Sequence, residues 1–333
     1  MKKELLLVLL VMLSQLVTAQ VIFEDDFDGL SQDYVCCNSH TGYNGTCDLP
    51  PGYTYFKSNG HDYGECNGLI IPEADRFGGR GENRGFRIHI EERTIPERDT
   101  QLTVELAEPQ KTVYFRWYER NSANDLMAGP GDKLFRISNS NEEQIAFILW
   151  DPENSLPGIP VYAATASYIP AENIYDVQHF EKDGEVDFDL KTDVLPDTWH
   201  SYEIKIDIDG GSGELWVDGV SRGTIENQIW GGDWGIQYIY VGGNQQGQSW
   251  FEPQEEHRDY DDVTFSTEYI GPDECVDGDD ISQSGACYCG GGPSPTDASN
   301  VYTSGYCCSG EWQAGFCDSS CVPSTEICDN GTD

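Results

Sequence analysis

The chain has 333 residues, with 59 Asp and Glu against 19 Lys and Arg, and a formal net charge of −40. That charge disfavours nucleic acid and anionic lipid as partners held by bulk electrostatics, so an anionic ligand has to be caught by a local group of cations. The composition is rich in Gly, aromatic residues and turn formers and poor in helical patterns, which reads as all-β with length for one large domain and a small one.

The start, "MKKELLLVLLVMLSQLVTAQ", has a basic end, a short Leu/Val run and the small-residue finish Val17-Thr18-Ala19. It reads as a signal peptide over residues 1–19, cut before Gln20, and predicts a secreted protein. The run is short for a membrane span and no later stretch approaches that length, so no membrane insertion is expected. A lipid anchor would need a Cys at the cleavage site, and Gln20 stands there.

Residues 20–272 read as one sheet-rich unit. The first strand candidate, "VIFEDDF", carries Asp25, Asp26 and Asp28. Cys36, Cys37, Cys47 and Cys66 follow, and the other eight of the 12 cysteines lie between Cys275 and Cys328. In an exported chain such even sets predict disulfides, with the pairing inside each set left open. "GFRIHIEE" and "QLTVEL" alternate as strands, and "TVYFRWYE" poses a question of faces. Phe115 and Trp117 suit a core, which leaves Tyr114, Arg116, Tyr118 and Arg120 on the other side. Phenols and guanidiniums in a row are what a sheet uses to grip a polar ligand.

"KLFRIS", "QIAFILW", "VYAATA", "GEVDFDL" and "WHSYEIKIDID" continue the pattern. In the last of these, His200, Tyr202, Ile204, Ile206 and Ile208 face one way, and Ser201, Glu203, Lys205, Asp207 and Asp209 the other, which predicts a solvated outer face. "GELWVDG" closes on the tight-turn pair Asp218-Gly219, and "IQYIYVGG" and "DDVTFSTEYIG" end the unit. Short strands separated by Gly, Pro, Asn and Asp predict a sandwich or jelly roll. From Cys275 onward the large side chains thin out, so residues 273–333 are expected to be a small module or tail stapled by disulfides.

"GGRGENRGFRIHI", "YFRWYER", "GDKLFRI", "FILW", "TWHSYEIKIDID" with "GELWVDG", and "YDDVTFSTEYIG" occur in the order seen in the concanavalin A-like lectin/glucanase superfamily. They resemble most its polysaccharide-lyase-like branch. The resemblance implies a jelly-roll sandwich of two antiparallel sheets with a concave groove for a polysaccharide. Tyr114, Arg116 and Tyr118 would then line the groove, with Trp150 and Tyr240 as further binding residues. Lys133 in "GDKLFRI" matches the Lys of a similar segment in alginate and glucuronan lyases, and Tyr162 falls near their catalytic Tyr positions. Lys133, Tyr162 and Arg116 are therefore the catalytic candidates for β-elimination on a uronate, which needs a carboxylate neutraliser, a base and an acid. "QIAFILW" departs from that group by carrying Ile145 and Phe147 where it has polar residues.

Two alternatives stand beside this one. "GEVDFDL" resembles the catalytic strand of family sixteen glycoside hydrolases, with Glu185, Asp187 and Asp189 on one face, although the third acid is one residue early. The other is a non-catalytic lectin, or an adhesion component associated with the cell surface. In the superfamily a calcium ion often clips the first strand to the last, and Asp25, Asp26, Asp261 and Asp262 supply hard oxygens at the two ends. The six His residues show no paired metal spacing, so zinc is not expected.

Overall fold

The structure is a computed structural model and describes residues 21–29, 34–37, 50–59, 66–71, 84–90, 97–122, 132–140, 144–150, 162–169, 174–186, 194, 197–228, 230, 234–246, 256–272, 287–288, 301–302, 306–308 and 311–313. Sixteen strands make two antiparallel sheets, and no helix occurs among the described residues. They are β1 (Val21–Asp25), β2 (Tyr34–Cys37), β3 (Tyr55–Asn59), β4 (Cys66–Ile71), β5 (Gly85–Ile90), β6 (Glu97–Gln110), β7 (Thr112–Asn121) and β8 (Asp132–Ser138). Then come β9 (Gln144–Trp150), β10 (Tyr162–Ile169), β11 (Ile174–His179), β12 (Trp199–Asp207), β13 (Ser212–Val217), β14 (Val220–Ile225), β15 (Ile236–Gln246) and β16 (Glu256–Ser266). Two short pairs, β17 (Cys287–Tyr288) with β18 (Val301–Tyr302) and β19 (Tyr306–Cys308) with β20 (Glu311–Gln313), lie in the Cys-rich stretch.

The first sheet has the order β14-β13-β12-β7-β16-β5-β4-β2, with β1 also paired to β16. The second runs β11-β10-β9-β8-β15-β6-β3. This is the expected jelly-roll sandwich. Its core comes from alternate positions of both sheets: Phe115, Trp117, Tyr202, Ile204 and Phe265 from the first, Leu102, Phe135, Ile145, Phe147 and Val241 from the second. The middle is aromatic. Trp117 stacks on Phe135 of the opposite sheet at 5.5 Å and on Tyr202 of its own at 5.5 Å, while Phe115 meets Phe135 at 4.3 Å. Each such pair adds about 0.5–1.5 kcal/mol beyond area burial and fixes how the sheets sit on one another.

Two departures from the sequence reading matter. "GEVDFDL" does not start as a strand. Lys182 and Glu185 close a tight turn, with Asp183 and Gly184 both at positive φ, and Glu181 bridges Thr224 at the edge of the first sheet. The outer face of β12 is not solvated either. Glu203 is 2% exposed because Ile270 and Gly271, which follow β16, lie against it, and Ser201, also 2% exposed, is tied to Asp218, whereas Asp209 is exposed.

Candidate functional site

The outer face of the first sheet carries a polar layer that is buried around Asp259 and Glu203. Asp259 of β16 accepts from Arg87 Nη2 at 2.7 Å and from Arg120 Nη2 at 2.7 Å, so two guanidiniums share one buried carboxylate. Arg116 donates to Gly271 O at 3.1 Å and to Thr264 Oγ1 at 3.1 Å, and its guanidinium lies over the Tyr118 ring. Glu203 accepts from the amides of Ile270 at 2.8 Å and Gly271 at 2.7 Å. Arg116 is 5% exposed and Tyr118 is 0% exposed. Tyr114 is half-buried against Trp216.

This placement corrects the groove expected from "YFRWYER". Phe115 and Trp117 do pack between the sheets, but the opposite face of β7 is covered by its own chain. Lys133 and Tyr162 belong to β8 and β10 of the other sheet. Arg116 thus stands on a different sheet from Lys133 and Tyr162.

The outer face of the second sheet carries a second polar and aromatic group, with Gln101, Thr103, Ser138, Ala146 and Ala164 buried beneath the half-buried Arg136, Tyr238 and Tyr240. Register lines up Thr103, Tyr240, Arg136, Ala146, Ala166 and Val177 as neighbours across six strands. At a strand spacing of about 4.8 Å such a row is about 24 Å long. Within it, the Arg136 guanidinium lies 5.1 Å from the Tyr240 ring centre and donates to Gln101 Oε1. Tyr240 OH is 2.9 Å from Ser138 Oγ, and Tyr238 OH donates to Glu105. Arg136, Tyr238 and Tyr240 are each half-buried, with their polar ends paired side chain to side chain along the face. Next to them the floor is made of small residues, Ala146 and Ala164, packed with Val177. His179 closes the far side opposite Ala164, and burial lowers its imidazole pKa, so the ring is neutral at pH 7.

Four of the residues singled out from the sequence belong to this sheet by register: Lys133, Trp150, Tyr162 and Tyr240. A bulge between Lys133 and Phe135 sets Lys133 opposite Ile148, the position two along from Ala146. Without the bulge, plain alternation would group Lys133 with the core residues Phe135 and Ile137. The Leu134 carbonyl at the bulge accepts from Tyr260 OH of the other sheet at 3.5 Å. Tyr162 pairs with Trp150, one further step along. The side chains of Lys133, Trp150 and Tyr162 lie outside the described residues. Tyr240 shares this face with Arg136, Gln101, Ser138 and His179, four residues that the sequence reading does not single out. Strand parity was their signal: Arg136 alternates with Phe135 and Ile137, and so had to point away from the core.

Glu185 is exposed at the turn beside β14, on the other sheet from this face, and Asp187 and Asp189 lie outside the described residues. β1 does meet β16, with Asp25 opposite Val263. One oxygen of each acid there accepts from a backbone amide, Asp25 Oδ1 from Phe27, Asp26 from Asp28, Asp28 from Arg84 and Asp261 from Asp262, while Asp25 Oδ2 is buried. Burial raises the Asp25 pKa, and Asp26 and Asp28 add to the rise. Among the described residues no group of three or more His, Cys, Asp or Glu is placed to hold a metal ion.

No protein-family model and no curated protein matches the chain. Solved structures do resemble it in part. The chain is similar to the cellulose-induced protein Cip1 over 76% of its own length and 100% of that chain, at 10% identity and a TM-score of 0.46. It is also similar to the botulinum neurotoxin serotype D binding domain (9% identity, TM-score 0.40) and the serotype D/C VPI 5993 binding domain (12%, 0.41). These matches span 72% and 71% of this chain but only 48% and 49% of those chains, so it covers about half the length of the neurotoxin domains.

Proposed function

We propose that the protein is a secreted polysaccharide-binding protein whose ligand lies along the outer face of the second sheet. One observation carries this reading: Arg136, Tyr240, Gln101 and Ser138 form a joined polar and aromatic group beside a floor of alanines, on the same sheet as Lys133, Trp150 and Tyr162. Tyr rings offer flat apolar faces to sugar rings, and a guanidinium binds carboxylate or hydroxyl oxygens by paired hydrogen bonds. On a chain of charge −40, a fixed cation on this face favours a uronate over a neutral sugar locally.

The reaction class that such a face supports is β-elimination. Arg136 would neutralise the uronate carboxylate, taking the part first expected of Arg116. Lys133 and Tyr162 are the residues the family resemblance assigns to proton transfer. A base removes the proton next to the carboxylate, the electron pair forms the new carbon–carbon double bond, and the glycosidic oxygen leaves with a proton from the acid. A lectin would use the same binding residues without the last two.

Affinity electrophoresis of the full chain in alginate, glucuronan and pectin tests the binding. Retardation by at least one of them is expected, with Arg136→Ala and Tyr240→Ala each weakening it roughly tenfold or more while melting as the wild type does. No retardation in any of the three, or unchanged retardation in both variants, contradicts the reading. Absorbance from new double bonds during incubation, lost in Lys133→Ala, separates the lyase from the lectin.

A further inference from the structure

Between β2 and β4 the chain crosses from the first sheet to the second and back. Among the described residues β2 pairs with β4 alone and β3 with β6 alone, so each is the last strand of its sheet and is held along one side. The crossover carries all four cysteines of the N-terminal set. Cys36 and Cys37 end β2 and Cys66 begins β4, with Cys47 between them and outside the described residues. β2 meets β4 with Tyr34 opposite Ile70, Val35 opposite Leu69 and Cys36 opposite Gly68. A bulge then skips Asn67 and sets Cys37 opposite Cys66. Unbroken register would have put Asn67 there, so the bulge is what brings the two cysteines together.

We propose that Cys37 and Cys66 form a disulfide that staples the base of this crossover, leaving Cys36 and Cys47 as the second pair of the set. Directly opposed residues of antiparallel strands have Cα atoms about 4.5–5.5 Å apart, inside the range of about 4.4–6.8 Å that a disulfide spans. The other two pairings fit the register less well. A Cys36–Cys37 bond would join neighbours that alternate to opposite faces of β2, and a Cys36–Cys66 bond would run diagonally past the residue that stands opposite Cys66. Gly68 pairs with Ile88 and Ile70 with Phe86, both core residues, which places Cys36 on the core side of β2 and Cys37 on the outer side.

Closing the bond takes a disulfide-bearing oxidant. One of the two thiolates attacks it to give a mixed disulfide, the other displaces it, and the oxidant leaves as two thiols carrying the two electrons and two protons. Residues 38–65 then lie inside the closed loop, β3 among them. With β2 unable to drift from β4, the chain on either side of β3 is anchored and both edge strands are held. β3 sets Tyr55 opposite Thr103 and Lys57 opposite Gln101, so the staple also steadies the rim of the proposed polysaccharide face. That last consequence rests on the binding reading; the bond itself does not.

Mass mapping of the full chain, expressed into an oxidising compartment, alkylated and digested without reduction, tests the pairing with no glycan present. Cuts after Tyr43, Tyr53, Lys57 and Tyr63 separate Cys47 and Cys66 from the peptide that holds Cys36 and Cys37. That peptide should carry both of the others, and fragmentation between Cys36 and Cys37 should leave Cys66 on Cys37. Cys66 that is alkylated, or joined to Cys36 or Cys47, overturns the proposal. Cys36→Ser with Cys47→Ser should still join Cys37 to Cys66, and an alkylated Cys66 in that variant also overturns it. In Cys37→Ser with Cys66→Ser, amide protection in β2 and β3 should fall roughly tenfold or more while β7 and β12 exchange as in the wild type. A fall of less than about twofold contradicts the staple, and if this variant does not fold the two maps decide.

Discussion

Asp259 shows how the polar layer on the first sheet is stabilised. Its carboxylate is buried between Arg87 and Arg120, and His257 Nε2 stands 3.8 Å away. Removing it leaves Arg87 buried in a place where water cannot replace the lost partner. Asp259→Ala is therefore expected to lower the unfolding free energy by about 3–5 kcal/mol in denaturant melts. A loss under about 1 kcal/mol would mean that the guanidiniums find solvent easily. His200 makes a comparable but local contact, with Nδ1 at 2.7 Å from Asp218, which ties the β13–β14 turn to β12. Neither interaction was legible in the sequence. Arg87, Arg120 and Asp259 are far apart in the chain, and only pairing of β16 with both β5 and β7 brings them together.

The strands themselves were largely legible, because Phe115/Trp117, Ile204/Ile206 and Phe135/Ile137 repeat with the period of two that burial on one face demands. What alternation could not show is which sheet a strand joins and whether its other face is covered. The Tyr-x-Arg-x-Tyr row of β7 was read as a ligand surface, yet it is the underlayer of residues 267–272. The bulge at Lys133 and Phe135 likewise escapes a pattern that assumes unbroken alternation. "GEVDFDL" reads as a strand because Glu185, Asp187 and Asp189 alternate, but Asp183-Gly184 is a competing turn signal, and Lys182–Glu185 form the turn. This turn docks on β14 through Gly223, where the chain runs at φ 150° and an added Cβ would come within 2.8 Å of Phe180 C and Glu181 N. Gly223→Ala should thus cost about 1–3 kcal/mol in the same melts, and an unchanged melt would contradict this close approach.

The sandwich presents two outer faces with opposite fates. The first is covered around Glu203 and Arg116 by residues 267–272, with Arg87 and Arg120 held by Asp259 and Arg116 by the Gly271 carbonyl and Thr264. The second keeps half-buried Arg136, Tyr238 and Tyr240 along a shallow row with a small-residue floor. The fold class followed from composition and strand spacing; the choice between faces required the register.

Backbone hydrogen exchange of the full chain, with and without glucuronan, alginate or pectin, tests this choice most directly. At least one of the three should slow exchange in β6, β8, β9 and β15 while leaving residues 267–272 unchanged. Slowing confined to the first sheet and residues 267–272, or no slowing with any of the three, would contradict the assignment of the binding face.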